Sequence, residues 1–195
     1  DQLETELRKS STKSVIICHY PIGSIKSKSS SSGKTLTDIV DTKETVLAFL
    51  SGHWHPKKPN PFYNGKGGGV DIVGTASFQY KKFGIVTIDN DGVAWSSIDI
   101  NKPPKGVISY PIPADQVSSN SIFNDIENSA IRVVTFSDEN DLKIAFKITE
   151  KSSSKVVYDG FLNYSKRLVN GHSLYSFPMN RCIQKFGEYR IDFSG

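Results

Sequence analysis

The chain has four histidines, at positions 19, 53, 55 and 172, and three of them are placed as metal ligands would need. His53 and His55 stand two apart in Ser51-Gly52-His53-Trp54-His55, directly after the apolar run Val46-Leu47-Ala48-Phe49-Leu50. His19 closes a second apolar run, Val15-Ile16-Ile17-Cys18. Neutral imidazole binds zinc, iron, manganese and related ions. In a regular strand, residues i and i+2 share a face; on a turning backbone beyond a strand, the same pair can serve two different ions. Taken singly, each of these histidines reads equally well as an ordinary strand-end or loop residue. Jointly, at the ends of two apolar runs, they favour a site. His172, in Asn170-Gly171-His172, falls in a turn region of the second half and is given no role.

The elements that must position these rings follow from the pattern around them. Four or five consecutive apolar residues fit a strand covered on both faces, and a parallel sheet gathers its chemistry at the carboxyl ends of its strands. Residues 1–10 carry Leu3 and Leu7 four apart, with acids early and Arg8 and Lys9 late, which predicts a short amphipathic helix. Residues 35–44 place Leu36, Ile39 and Val40 on one face and predict a second helix, capped by Thr35 or Thr37. These two helices are expected to cover the two faces of strand 15–18.

Residues 21–33 form a serine-lysine loop that leaves directly from His19, either as a lid or recognition element or as plain loop. Residues 56–69 hold three prolines and four glycines and predict another loop. Gly67-Gly68-Gly69 lacks the lysine-serine partner and the strand-to-helix context of a phosphate cradle. Strands are expected at 70–73 and 83–88, followed by a hairpin turn at Asn90-Asp91-Gly92 and a returning strand over 93–100. That antiparallel pair is expected at the edge of the sheet.

Lys102-Pro103-Pro104-Lys105 predicts a boundary, giving domains 1–102 and 103–195. Short strand-like runs follow at 107–110, 131–136, 142–148, 155–158, 174–177 and 189–193, with a helical turn as the reading for 122–126. Short alternating strands at this spacing predict a β-sandwich.

Bulk properties bound the reading further. Apolar residues make up 37% of the chain, including eleven Phe and eight Tyr, which is enough for a core. The net charge of +4 is dispersed, and the basic stretch 26–34 is mostly serine without interleaved aromatics. It reads as a solvated loop rather than a nucleic-acid surface. No run reaches the length of a membrane span and no signal peptide opens the chain, so this portion is expected to be soluble. Cys18, inside an apolar run, reads as a buried thiol, and Cys18 with Cys182 neither demands nor excludes an oxidising compartment. Asn163-Tyr164-Ser165 is a glycosylation sequon; with the serine-rich loop it leans the localisation towards the secretory pathway or a membrane rather than the cytoplasm. The chain opens straight into a helical pattern and stops just after a strand pattern, so a piece of a longer protein is expected.

Gly52-His53-Trp54-His55 after an apolar strand resembles the Gly-His-x-His motif of calcineurin-like metallophosphoesterases. Val15-Ile16-Ile17-Cys18-His19-Tyr20-Pro21 resembles the strand and histidine that precede it. Gln2-Leu3, Glu6 and Leu7 resemble the helix leading into that strand, and Phe83-Gly84-Ile85-Val86-Thr87-Ile88-Asp89 resembles the strands that finish the family's sheet. The resemblance covers about residues 1–100. Domain order and Gly187-Glu188-Tyr189-Arg190-Ile191 resemble the transmembrane protein 62-like branch, in which an immunoglobulin-like domain and then membrane spans follow the phosphoesterase domain.

The resemblance implies an α/β-sandwich portion, the C-terminal half of a metallophosphoesterase-like domain, followed by an immunoglobulin-like β-sandwich. It implies two divalent ions (Zn, Mn or Fe), with His19 and His53 on one and His55 on the other. Gly52 would permit the sharp turn that exposes both imidazoles. The substrate would be a phosphomonoester or phosphodiester, and Lys26, Lys28 and Lys34 would attract its phosphate. The family's Asp-x-His, Gly-Asp-x-x-Asp and Gly-Asn-His motifs do not occur in this sequence. The expected partner is therefore the N-terminal half of the catalytic domain, on the same protein or an associated chain, and this segment alone is expected to be inactive. Any membrane contact would come through regions outside this chain. The alternative from another class is a non-catalytic binding or scaffold protein with a degenerate phosphoesterase-like half.

Overall fold

The computed structural model describes residues 1–41, 46–56, 60–64, 70–75, 77–89, 92–116, 127–137, 142–185 and 187–194. The fold is mostly β-sheet with few helices. It divides into two compact units, Asp1–Pro103 with Asp115–Ile122, and Pro104–Ala114 with Phe123–Gly195. Gln116 belongs to the first unit through a double clamp on Trp95: the Trp95 amide donates to Gln116 Oε1 (3.0 Å), and Gln116 Nε2 donates to the Trp95 carbonyl (2.8 Å).

In the first unit, strands β1 (Ser14–Ile17), β2 (Val46–Ser51), β3 (Asn60–Asn64) and β4 (Val70–Val73) lie in the order β1-β2-β4-β3. β2 pairs in parallel with both β1 and β4, while β3 runs antiparallel to β4. One face packs Val46 and Phe49 against Leu7 of helix α1 (Gln2–Lys9), Ile39 and Val40 of helix α2 (Leu36–Asp41), and Ile22. Ala48 and Ile72 pack instead against Val93 and Trp95, with Val86 beside them. These last three belong to the antiparallel pair β5 (Lys82–Asp89) and β6 (Gly92–Asp99).

Both helices therefore cover one face and the β5–β6 pair covers the other, where the sequence predicts a helix on each face and the pair at the edge. The alternation of Val93 and Trp95 gives β6 an apolar side, which buries more surface flat against the sheet than at its margin. β1 occupies the edge among the described strands, so it has a neighbour on one side only. Ile17 at its end is 79% exposed, and Cys18 is half-buried rather than enclosed.

Other local expectations meet tertiary context. Asn60–Asn64 is a strand inside the stretch expected to be loop; it lies at an edge among the described strands, with a register shift between Pro61 and Tyr63. A short helix, α3 (Ser77–Tyr80), carries no sequence signal that separates it from the turn around it. The expected features at 42–44, Gly67-Gly68-Gly69, Asn90-Asp91 and 122–126 lie outside the described residues. Thr35 is the cap of α2, and it forms a reciprocal box with Asp38. The Asp38 amide donates to Thr35 Oγ1 (3.2 Å), and the Thr35 amide donates to Asp38 Oδ2 (2.9 Å).

The serine loop is docked on α1. Asp1 accepts the Ser31 amide (3.2 Å) and hydroxyl (3.0 Å), and Glu4 accepts the Ser32 hydroxyl (2.8 Å). The Ser32 bond, helped by Arg8 and Ser29 and opposed by burial, draws the Glu4 carboxyl from 4.5 down to about 2.

The second unit holds two antiparallel sheets. One has the order β11-β12-β8-β7, made of β7 (Gly106–Tyr110), β8 (Ala130–Thr135), β11 (Asn163–Arg167) and β12 (Ser173–Pro178). The other has the order β10-β9-β13, made of β9 (Ala145–Glu150), β10 (Val156–Phe161) and β13 (Tyr189–Ser194). Phe146 and Tyr158 of one sheet meet Phe177 of the other at ring-centroid distances of 5.3 and 5.0 Å, an arrangement compatible with a β-sandwich. β11 carries the exposed sequon residue Asn163, and it is exposed along its whole length. Without an apolar side it leaves no alternation to read. Among the described residues, no helix is long and apolar enough to cross a membrane.

Two outcomes follow. A Cβ on Gly106 would sit 2.6 Å from the Val134 carbonyl oxygen, a backbone atom that cannot swing away. Gly106→Ala should therefore cost about 1–3 kcal/mol in urea unfolding. The lowered Glu4 pKa contributes stability that is complete above pH 4.5 and lost as the pH falls to about 2. Glu4→Gln should flatten that part of the acid dependence in thermal melts taken across the same range.

Candidate metal site

Because β1 and β2 are parallel, their carboxyl ends lie side by side. Backbone pairing continues beyond both strands: the Cys18 amide donates to Leu50 O (2.9 Å), and the Gly52 amide donates to His19 O (3.0 Å). That second bond fixes His19 against the residue that precedes His53.

The chain then turns sharply. The Trp54 amide donates to Gly52 O (2.9 Å), closing a three-residue turn with His53 at its centre. His53 has φ +70° and His55 has φ +51°. An i to i+2 bond around a residue at that φ is the rare, strained form of the γ-turn. A non-glycine residue held there costs about 1–3 kcal/mol and persists only where its surroundings over-determine it. Gly52 is not among the positive-φ residues, although the resemblance implies that it permits the turn. A Cβ there would meet His19 O at 3.7 Å, an ordinary contact. The unusual backbone is carried by the histidines themselves.

The turn brings His53 Nδ1 to 3.2 Å from His19 Nε2, with the rings edge to face. At that separation, one imidazole donates a proton to the other in the absence of metal. The same two nitrogens are the part of the site that could hold one ion. The Tyr20 ring packs 4.8 Å from His19 and 4.5 Å from His53 between centroids. His19, Tyr20, His53, Trp54 and His55 are all exposed, so the rings are open to a ligand.

Comparison with family models, curated proteins and solved structures found no match. The chemistry of the site therefore rests on its geometry. Of the three histidines singled out by spacing, His19 and His53 are together, and His55 follows on its own positive-φ residue. Among the described residues, no group of three His, Cys, Asp or Glu side chains is poised to hold a metal. Two neutral imidazoles can chelate an ion but cannot balance its charge.

Asp71 was not singled out by the sequence reading. It is 1% exposed in β4, and burial pushes its carboxyl above the usual aspartate range, against hydrogen bonds from Ile22 and Ser51. The available signal was a lone acid inside Val70-Asp71-Ile72-Val73.

If the strain lies on His53, glycine should suit the backbone there better than alanine. His53→Gly should exceed His53→Ala in stability by about 1 kcal/mol, and Gly52→Ala should stay within about 0.5 kcal/mol of the parent. Chemical unfolding of the three variants checks both. Equal stability of the two His53 variants would contradict the assignment of strain.

Proposed function

We propose that this chain supplies the histidine part of a metal-dependent phosphoesterase site, with the carboxylate ligands contributed by polypeptide outside this sequence. The observation that carries this reading is the 3.2 Å approach of His53 Nδ1 and His19 Nε2 at the ends of two adjacent parallel strands. His19 and His53 would hold one ion, and His55 a second. Such ions, when bound, lower the pKa of a water and stabilise charge on phosphoryl oxygens.

The chain's other residues have consistent roles in this reading. Tyr20 limits the tilt of both imidazoles from one side. Lys26 and Lys28 are exposed on the loop that leaves His19, where they draw an anionic phosphoester towards the rings. The first unit is then the C-terminal part of a metallophosphoesterase-like domain, and the second an immunoglobulin-like sandwich attached to it. The edge position of β1 and the 79% exposure of Ile17 support a further strand-bearing partner on that side, the missing half of the catalytic domain.

The test uses the whole natural polypeptide that contains this chain. Metal analysis should give about two divalent ions per molecule. Assays on p-nitrophenyl phosphate and bis-p-nitrophenyl phosphate should show hydrolysis of at least one. His53→Ala should lower kcat/KM by more than the roughly 10–100-fold typical of losing a residue that only supports a ligand. A metal-free protein inert towards both substrates would overturn the reading in favour of a binding or scaffold protein.

A further inference from the structure

Asp71 sits where an apolar residue would complete the core. In the register of the sheet it stands opposite Phe49, whose side chain packs with Ile22, Ile39 and Val40. Burying a carboxyl group among such neighbours is costly unless its oxygens are used. Here both are used, by two different parts of the candidate site. Oδ2 accepts the backbone amide of Ile22 (3.3 Å), and Oδ1 accepts the hydroxyl of Ser51 (3.4 Å).

The positions of those donors give the arrangement its meaning. Ile22 opens a single 3₁₀ turn, Ile22–Ser24, three residues after His19. Ser51 ends β2, two residues before His53. One buried carboxyl group thus spans the segment downstream of one imidazole and the segment upstream of the other. The strand ladder fixes His19 from its N-terminal side, through Cys18 and the Gly52 bond. Asp71 fixes the far side, where Tyr20-Pro21 could otherwise pivot. The Ile22 side chain, 2% exposed, anchors the same point in the core.

We infer that Asp71 is a positioning residue that holds the His19 and His53 loops at ligand-bearing separation. Its consequence for metal binding rests on the function proposed above; its effect on the approach of the two rings does not. The requirement is for hydrogen bonding rather than for charge. An asparagine at 71 keeps an oxygen for the Ile22 amide and offers an N–H to Ser51, whose hydroxyl can accept it. An alanine removes both bonds and strands the Ile22 amide.

The experiment compares the 195-residue chain with Asp71→Ala, Asp71→Asn and Ser51→Ala, with circular dichroism confirming the fold of each. In metal-free protein, the nuclear Overhauser contact between the His19 and His53 rings should be present in the parent, absent in Asp71→Ala and restored in Asp71→Asn. Zinc(II) titration should show Asp71→Ala weakened by about 10–100-fold, with Asp71→Asn matching the parent. A contact that survives in folded Asp71→Ala, or one missing from the parent, overturns the inference. Should Asp71→Ala not fold, Ser51→Ala decides. A weakened ring contact supports the role, and an unchanged one removes it. A parent that shows the ring contact yet binds no zinc defeats the metal reading alone and leaves the comparison of ring contacts to judge Asp71.

Discussion

The hydrogen bond from the Gly52 amide to the His19 carbonyl is the constraint on which the candidate site depends. It extends the parallel ladder of β1 and β2 by one step beyond its regular end, and so sets the register of the two turns that follow. Parallel direction is essential to this. In an antiparallel pair the ends of these strands would lie roughly 15–20 Å apart at about 3.3 Å per residue, and no loop geometry would bring the imidazoles together. One residue of slip would be nearly as damaging, because side chains alternate across the sheet. The apolar residues on both sides of β2 oppose such a slip. Phe49 is committed to the helical face, and Ala48 packs with the hairpin residues on the other.

The covering of that sheet explains why a polar group was tolerated in its middle. The helical face is closed by Leu7, Ile22, Ile39 and Val40, which keeps water from Asp71 and makes its two long hydrogen bonds count for more than they would at the surface. The same closure ties the site to its support. The loop leaving His19 returns its Ile22 side chain to the core, then runs on as a serine tract held by Glu4 of the first helix and by Asp1 just before it. A segment that composition alone describes as free loop is fixed at both its start and its tip.

What could be read from the sequence was what depends on near neighbours. The Leu3–Leu7 spacing identifies α1, and Leu36, Ile39 and Val40 identify α2 with its cap at Thr35 or Thr37, because both signals act within a turn or two of chain; the structure decides for Thr35. The apolar runs marked β1 and β2, and the three histidines at their ends include the two that meet. The placement of the β5–β6 pair was not legible, since alternation shows that it has an apolar side but not which surface stands open to receive it. β3 was hidden by Pro61 and its glycine-rich surroundings, whose local preference gives way to edge pairing with β4. The family resemblance implies that Gly52 permits the sharp turn of the site. The fold places the positive φ instead on His53, at the centre of the turn that follows the ladder, and on His55.

The positive φ at positions 53 and 55 sets folding and chemistry against each other. Backbone preference at both places favours glycine or asparagine, and under the function proposed above metal binding is what would keep histidine there. Among descendants of this sequence, the pair therefore acts as a record of selection. A lineage released from its chemistry should drift towards the relaxed residues at 53 and 55 while keeping the apolar strands behind them. A lineage that uses the site as proposed must go on holding two imidazoles on backbone that glycine would occupy at lower cost.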